Sequence, residues 1–586
     1  MLLSHRIVRR TLTDIVAIGA ALACMACRQA AADASRARGR ADSTWSLVAH
    51  PVTAAHAMVA SNSTLASGAG VEVLRAGGNA VDAAVATGFA LAVTHPEAGN
   101  IGGGGYMVIR MADGRTAALD YREIAPLGAS RDMFIDSAGH RTRASTVGYL
   151  ASGVPGSVAG LTAALARYGT LPLSRVMAPA VRLAEKGFVV DSFLASSVRE
   201  NQELIARFGG RAVFLPHGTP IAVGDRLVQA DLARTLRRIA SGGSAAFYRG
   251  VIARQIADEM SRGAGLITRA DLSRYAPVWR EPLRGTYRGY TLLTMPPSSS
   301  GGVTLLETLN VLEATGPPAP AMSERYLHRV VESLRRAFVD RNTRLGDPAF
   351  VANPIDRLTS KEYARALAAA IDSARATPTA DFEAAAREGT NTTHYSVVDA
   401  HGNAVATTTT LNDLYGSGVY VQGAGFFLND EMDDFTARPG VPNSFGLVQG
   451  ASNAIAPGKR MLSAMAPTIV LDSAGQLALV LGSRGGPRII TSVLQVLLGV
   501  IDGHLSLGDA MAAPRIHHQA WPDTVWFERH GVAVGTLDSL AAAGYALAPA
   551  PFSPGGYVGR VIAVARRGDQ YEAVVDPRTS GGAIGY

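Results

Sequence analysis

Residues 392–411 carry two runs of β-branched and small residues on either side of a five-residue turn sequence, DAHGN at 399–403. Such runs around a Gly-Asn turn predict two antiparallel strands joined as a hairpin. If Val398 pairs with Ala404, the register puts Thr410 directly opposite Thr392, with both side chains on one face of the sheet. The sequence therefore predicts that two threonine hydroxyl groups meet at the open end of this hairpin.

The chain before the hairpin is interpreted as mainly helical. Residues 160–343 and the Ala-rich, charged segment 364–387 have helical spacing, after a helix near 68–75 and a buried helix from Ala80. Strands are predicted at 106–110 and 117–121, with Arg122 at the end of the second. The sequence EGTN at 388–391 then predicts a loose, exposed loop before Thr392, where a chain can be cut.

Strands are expected to dominate the part after Thr392, with further examples at 468–472, 477–482 and 571–575. With 47% hydrophobic and 18% charged residues, the chain can bury a large core as one globular unit. The net charge of +7 comes from scattered arginines without a basic block, so a nucleic-acid partner is not expected.

The N-terminus resembles an export signal. Three arginines within residues 6–10 precede an apolar run at 15–25 that is too short to cross a bilayer. We expect a signal peptide at 1–32 and a periplasmic or secreted mature protein, with a lipid anchor on Cys24 as an open alternative. Both cysteines, Cys24 and Cys27, lie in this segment, which excludes a cysteine nucleophile or a disulfide in the mature chain.

The stretch NTTHYSVVDAHGNAVATTTTLN from Asn391 closely resembles the processing site of γ-glutamyltranspeptidases. The resemblance continues in order along the mature chain through GGNAVDAA at 77–84, GNIGGGGYM at 99–107, DYREIAP at 120–126, ASGVPGSVAG at 151–160, MPPSSSGG at 295–302, LGDPAF at 345–350, NDEMDDF at 429–435, GSRGGPRIIT at 482–491 and APRIHHQ at 513–519. One Gly-rich match would be weak, whereas an ordered series of this length is specific.

The resemblance implies a self-cleaving enzyme with an N-terminal threonine nucleophile. Thr392 would attack the Asn391 carbonyl and become the first residue of a small subunit, 392–586, that stays associated with a large subunit, 33–391. Its new α-amine, with a pKa near 8, can then serve as the base for its own hydroxyl. Thr410 would hydrogen-bond that hydroxyl, and the backbone N–H groups of Gly485 and Gly486 would hold the oxyanion.

The family's pocket also carries over residue by residue. Arg122 matches the arginine that binds the substrate's α-carboxylate, a task for which a two-pronged guanidinium is suited. Asn412, Glu431 and Asp434 match the groups around the α-amine, and Ser463 matches a hydroxyl on the α-carboxylate. Metal binding by the acidic loop is a weaker alternative, because no twelve-residue calcium loop is present. We expect no metal and no organic cofactor.

The implied fold is α+β, a four-layer αββα sandwich of the N-terminal-nucleophile hydrolase type. The implied reaction hydrolyses or transfers the γ-glutamyl group of glutathione and similar compounds, with water or an amino acid as acceptor. Two departures from the family pattern, Ala464 in place of a second serine and Phe445 in place of an aromatic hydroxyl, keep a glutaryl-type cephalosporin acylase open. A non-maturing exported ligand-binding protein is the alternative from another class.

Overall fold

The computed structural model of the chain describes residues 47–379, 392–529, 531–553 and 555–586. The predicted signal peptide, Cys24 and Asn391 lie outside the described residues. Within the described ranges, no helix combines the length and apolar character needed to cross a membrane.

The described chain forms strands β1 Val52–Ala54, β2 Met58–Ser61, β3 Gly104–Arg110, β4 Thr116–Tyr121, β5 Phe188–Val189, β6 Arg226–Leu227, β7 Val278–Arg280, β8 Leu283–Tyr287, β9 Tyr290–Thr294, β10 Thr393–Val398, β11 Ala404–Thr410, β12 Thr468–Leu471, β13 Leu477–Arg484, β14 Ile516–His517, β15 Val525–Phe527, β16 Leu547–Pro549, β17 Arg560–Arg567, β18 Gln570–Val575 and β19 Gly582–Gly585. It forms helices α1 Thr64–Arg75, α2 Ala80–Thr94, α3 Ser157–Tyr168, α4 Leu173–Lys186, α5 Ser192–Glu200, α6 Gln202–Arg207, α7 Arg211–Phe214, α8 Ala230–Tyr248, α9 Val251–Arg262, α10 Arg269–Arg274, α11 Gly301–Ala314, α12 Glu324–Arg344, α13 Ile355–Leu358, α14 Lys361–Ala369, α15 Arg488–Ile501, α16 Leu507–Ala512 and α17 Val534–Ala542.

Two seven-stranded sheets form the centre of the molecule. The first has the order β19-β2-β10-β11-β3-β4-β7, and the second has the order β1-β18-β17-β13-β12-β9-β8. Their facing sides pack together through β10, β11 and β13, around an apolar layer that includes Tyr106, Ile469 and Ile562. Each sheet thus has one face on its partner and one face left for helices.

Helices cover both outer faces. Helices α1 to α4 pack with the first sheet in one apolar cluster, and α11, α12 and α15 pack with the second sheet in another. Helix α2 is buried along its entire length, and Asn79 begins it with a capping box to Asp82. The order helix, sheet, sheet, helix is the predicted αββα sandwich, which is thereby confirmed.

The predicted hairpin is confirmed in its register. Val398 pairs with Ala404 and Thr393 pairs with Thr409, so β10 and β11 stay in step to the end that leads to Thr392. Strand β10 lies between β11 and β2, and β11 lies between β10 and β3. The hairpin is therefore central in its sheet. Strands on both sides of β10 fix the backbone that directly follows Thr392.

The prediction of a helical layer over 160–343 was incomplete, because strands β5 to β9 interrupt it. Strands β8 and β9 form a hairpin whose turn residues Arg288 and Gly289 both have positive φ, at 46° and 86°. Two positive-φ residues are typical of the tight turn that joins twisted strands. The predicted helix over 364–387 also ends early, at Ala369, and its continuation beyond 379 lies outside the described residues.

Candidate active site

The two hydroxyl groups predicted to face each other do so. Thr392 precedes β10, and its Oγ1 donates to Thr410 Oγ1 across 3.4 Å. Both side chains are buried, with 4% and 2% exposed surface. Thr410 Oγ1 also accepts from the backbone N–H of Asn412 at 2.8 Å. The hydroxyl of Thr410 is thus fixed by the turn that follows β11, and it orients the hydroxyl of Thr392.

Arg122 lies at the end of β4 and is fully buried. Its Nη1 lies 2.7 Å from Glu431 Oε2 and 3.5 Å from Glu123 Oε2, and its Nη2 donates to Asp434. Burial acts to lower the pKa of Arg122, but the three carboxylates reverse this and raise it. The predicted carboxylate-binding cation and the two predicted amine-binding acids therefore form one compact charged group.

The carboxylates of this group all have raised pKa values. Burial raises the pKa of Glu431 well above its usual range and raises that of Glu123 to about 7, while Arg122 opposes both shifts. Burial likewise raises the pKa of Asp434, and Arg122 is the main opposing charge. Crowded carboxylates around a single guanidinium favour a cationic group between them, such as a substrate ammonium.

Asn412 and Ser463 complete the predicted set. Asn412 has the left-handed φ of 79°, which Asn tolerates better than most residues, and its side-chain amide donates to the Asp430 carbonyl. Ser463 Oγ accepts from the N–H of Met465 at 3.1 Å. Both side chains are thus held by neighbouring backbone groups on the cavity wall.

Gly485 and Gly486 form the turn between β13 and α15. Their φ angles are 125° and 58°, in the region that favours glycine. A Cβ on Gly486 would meet Phe445 Cδ1 at 2.5 Å. The following helix begins at Arg488, so the turn lies at a helix N-terminus, where backbone N–H groups attract negative charge. This geometry suits the oxyanion role that the sequence predicted.

A cavity of about 20 Å³ joins these groups. The predicted site residues on its wall are Thr392, Thr410, Gly486, Arg122, Asn412, Glu431, Asp434 and Ser463, whereas Gly485 is outside the lining. Ala464, Phe445 and Leu447 also line it, together with Arg341, which sequence reasoning missed. This volume holds about one water molecule.

A second buried charged cluster includes Arg484, the residue before Gly485, and the sequence did not predict it. Arg484 Nη2 donates to Thr579 Oγ1 at 3.1 Å, while its Nε and Nη1 have no hydrogen-bond partner among the described residues. Burial raises the pKa of Glu97 to about 7, and Arg484 opposes the shift. His95 lies 3.6 Å from Glu97, and burial, then Arg484, lowers its pKa to about 3.

Asp433 of the acidic loop and the adjacent residues His517 and His518 each have partners within the protein. Asp433 pairs with Arg141, accepts from Ser145 Oγ at 2.8 Å and accepts from the N–H of Ser444. His517 contacts Thr491 and Gln519, and His518 contacts Asp523, so these adjacent histidines have separate partners. Within the described part of the chain, no three His, Cys, Asp or Glu side chains converge as metal ligands.

A family model described as Gamma-glutamyltranspeptidase matches residues 66–586. The chain belongs to the γ-glutamyltranspeptidase family. The glutathione hydrolase proenzyme of Escherichia coli is 48% identical to it, over 86% of this chain and 87% of the relative. The Acylase ACY 1 proenzyme of Pseudomonas sp. strain V22 is 40% identical, over 86% of this chain and 90% of the relative.

The fold of this γ-glutamyltranspeptidase family member is also similar to that of a solved acylase. The crystal structure of cephalosporin acylase from Bacillus halodurans matches with a TM-score of 0.81 at 27% identity, over 93% of this chain and 98% of that one. The family assignment made from the motifs is confirmed, and the chain is an enzyme. Relatives named as proenzymes fit a precursor that is processed into subunits.

Proposed function

We propose that the chain is a γ-glutamyl amide hydrolase and transpeptidase that acts on glutathione and related compounds through an ester on Thr392. The observation that carries the proposal is the shared cavity, whose wall includes Thr392, the cation of Arg122 and the carboxylates of Glu431 and Asp434. A γ-glutamyl group would present its amide carbonyl to the Thr392 hydroxyl. Its α-carboxylate would face the cation, and its α-ammonium would face the carboxylates.

The same hydroxyl first matures the precursor. Thr392 Oγ1 attacks the Asn391 carbonyl carbon, the acyl group moves from nitrogen to oxygen, and water hydrolyses the resulting ester. The products are the Asn391 carboxylate and the free α-amine of Thr392. Residues 33–391 and 392–586 become the large and small subunits, after export by the signal peptide at 1–32.

In the mature enzyme, the α-amine of Thr392 takes the proton from its own hydroxyl as Oγ1 attacks the γ-carbonyl carbon. The N–H groups of Gly485 and Gly486 stabilise the tetrahedral oxyanion. The intermediate collapses, the C–N bond breaks, and the departing amine receives the proton from the Thr392 ammonium. Water or an acceptor amine then attacks the γ-glutamyl ester and restores the Thr392 hydroxyl.

Several contacts support the assignment of binding roles. Glu431 and Asp434 would exchange part of their interaction with Arg122 for the substrate's α-ammonium. Arg122 and Ser463 would hold the α-carboxylate, and Asn412 would orient the ammonium. The net charge of the pocket then stays the same, because the substrate head group brings one positive and one negative charge.

A glutaryl-type acylase is the second candidate, favoured by Ala464 on the cavity wall and by the acylase relative at 40% identity. A glutaryl group keeps a carboxylate but lacks the amine. It would therefore leave Glu431 and Asp434 facing a negative charge without compensation. The charge of the pocket favours the γ-glutamyl substrate.

The test is a panel of p-nitroanilides with purified, matured protein. We expect the kcat/KM for the γ-glutamyl compound to be at least tenfold above that for the glutaryl compound. The Thr392→Ala variant should release no p-nitroaniline from either compound. A dipeptide acceptor should add a γ-glutamyl dipeptide to the products. Preference for the glutaryl compound would make the acylase the better description, and a single uncut, inactive chain would favour a binding protein.

A further inference from the structure

Arg341, near the end of α12, has one guanidinium nitrogen without a protein acceptor. Its Nε donates to Ser300 Oγ at 3.1 Å, and its Nη1 donates to Asn342 Oδ1 and Gln449 Oε1 at 2.9 and 2.7 Å. Its Nη2 is buried and has no hydrogen-bond partner in the described ranges. A buried donor left unpaired is unfavourable, so an acceptor on a ligand would be bound strongly there.

The position of Arg341 connects it with the reacting groups. It lines the same cavity as Thr392, Ser463 and Ala464. Ser300, which accepts from Arg341, donates through its own hydroxyl to the Ser463 carbonyl at 2.5 Å. Arg341 is therefore held against the segment in which Ala464 lacks the family's second hydroxyl.

The two guanidinium groups on the cavity differ in their surroundings. Arg122 has three carboxylates within 3.5 Å, from Glu123, Glu431 and Asp434. For Arg341, burial lowers the pKa to about 10 and Asp434 opposes the shift, so the side chain still carries its charge at neutral pH. Arg341 thus brings a positive charge that the pocket's own acids have not taken up by direct contact.

We propose that Arg341 is a specificity-determining residue whose Nη2 donates to the α-carboxylate of the donor, in place of the hydroxyl that Ala464 lacks. This inference rests on the proposed γ-glutamyl function and assigns a residue to it. Arg341 then shares the α-carboxylate with Arg122 and Ser463, while Glu431 and Asp434 bind the α-ammonium.

Three p-nitroanilides separate the contributions. The γ-glutamyl compound has the carboxylate and the amine, the glutaryl compound has only the carboxylate, and the 4-aminobutyryl compound has only the amine. In Arg341→Gln we expect KM to rise roughly 10- to 100-fold for the first two, as for a lost hydrogen bond to a charged group, with kcat changed less than threefold. KM for the 4-aminobutyryl compound should stay within threefold of its wild-type value.

Two further variants test the specificity of this effect. Arg335→Gln is the matched control, because Arg335 is a buried arginine of the same helix that pairs with Asp523 outside the cavity lining. It should leave the ratio of KM between the γ-glutamyl and 4-aminobutyryl compounds unchanged. Arg341→Lys should retain part of the preference for a carboxylate that Arg341→Gln loses, because lysine keeps the positive charge but lacks the two-pronged guanidinium.

Equal losses on all three compounds in Arg341→Gln, or an altered ratio in Arg335→Gln, would overturn the proposal and leave Arg341 a structural residue. Failure of the broader function is distinguishable, because wild-type protein would then cleave no γ-glutamyl amide. In that case the readout is the melting-temperature increase caused by L-glutamate relative to 4-aminobutyrate. Loss of that difference in Arg341→Gln supports the carboxylate contact, and its retention contradicts it.

Discussion

Thr392 Oγ1 and Thr410 Oγ1 lie 3.4 Å apart at the open end of a central hairpin, on the same face of the sheet. The distance follows from the strand register that begins at the DAHGN turn. From the pair Val398 and Ala404, successive residues pair one to one along the two strands, as far as Thr393 with Thr409. A hydroxyl positioned by backbone pairing needs no flexible segment to bring it to its partner.

Replacement of Thr392 tests the maturation step. Wild-type protein should yield two chains, with the smaller starting at Thr392, and Thr392→Ala should yield one, because the acyl shift needs a hydroxyl. Thr392→Ser keeps the hydroxyl and should still be cut. Gel electrophoresis and N-terminal sequencing measure the result, and a cut at another residue would contradict the assignment.

Replacement of Thr410 tests the contact between the two hydroxyl groups. Thr410→Val keeps the shape of the side chain and removes the hydrogen bond to Thr392, so we expect kcat to fall roughly 100-fold, in the range seen for a lost catalytic hydrogen bond. Thr410→Ser should retain most of the activity. Single-turnover rates of matured protein give the measurement, and equal rates for Val and wild type would remove Thr410 from catalysis.

Replacement of Arg122 tests the binding of the donor's head group. Arg122→Ala should raise KM for a γ-glutamyl amide far more than for a des-carboxy analogue, because only the former has an α-carboxylate. Loss of the guanidinium also leaves Glu431 and Asp434 buried without their partner, which costs about 3–5 kcal/mol when one member of a buried pair is removed. Arg122→Lys is the control that retains the charge, and thermal unfolding separates instability from binding.

The missing serine at position 464 gives a gain-of-function test. Ala464→Ser adds a donor on the cavity wall and should lower KM for a γ-glutamyl amide by about tenfold, through roughly 1–2 kcal/mol from a hydrogen bond to a charged acceptor. Ala464→Gly changes the size without adding a donor and should not. An unchanged or higher KM in the serine variant would bring the acylase forward.

The cluster beside Gly485 gives a test of stability against pH. Burial raises the pKa of Glu97 to about 7 in the folded protein. The protonated side chain therefore contributes its full stabilisation at a pH below the ordinary pKa of a glutamate, and this stabilisation is lost as the pH rises through about 7. Glu97→Gln imitates the protonated acid, so it should melt at the wild-type temperature near pH 5 and above it near pH 8. The same difference in melting temperature between the variant and the wild type at both pH values would show that Glu97 does not titrate in this range.

The sequence predicted those parts of the site that depend on local spacing. The hairpin register and the position of Arg122 at a strand end are set by neighbours along the chain, and both were correct. The pairing of Arg122 with Glu431 brings together residues from distant segments, which no local pattern encodes. The same holds for Arg341, whose helical spacing predicts only α12, and for Glu97 and Arg484, which meet through the tertiary fold.

Both sheets contain strands from the two sides of the predicted cut. The ladders β19–β2, β2–β10, β11–β3, β1–β18 and β12–β9 each join a strand from residues 47–379 to one from residues 392–586. Separation of the cut chains would break all of these ladders and expose the layer between the sheets. The two polypeptides should therefore stay together through purification, and neither should be recoverable as a folded chain by itself.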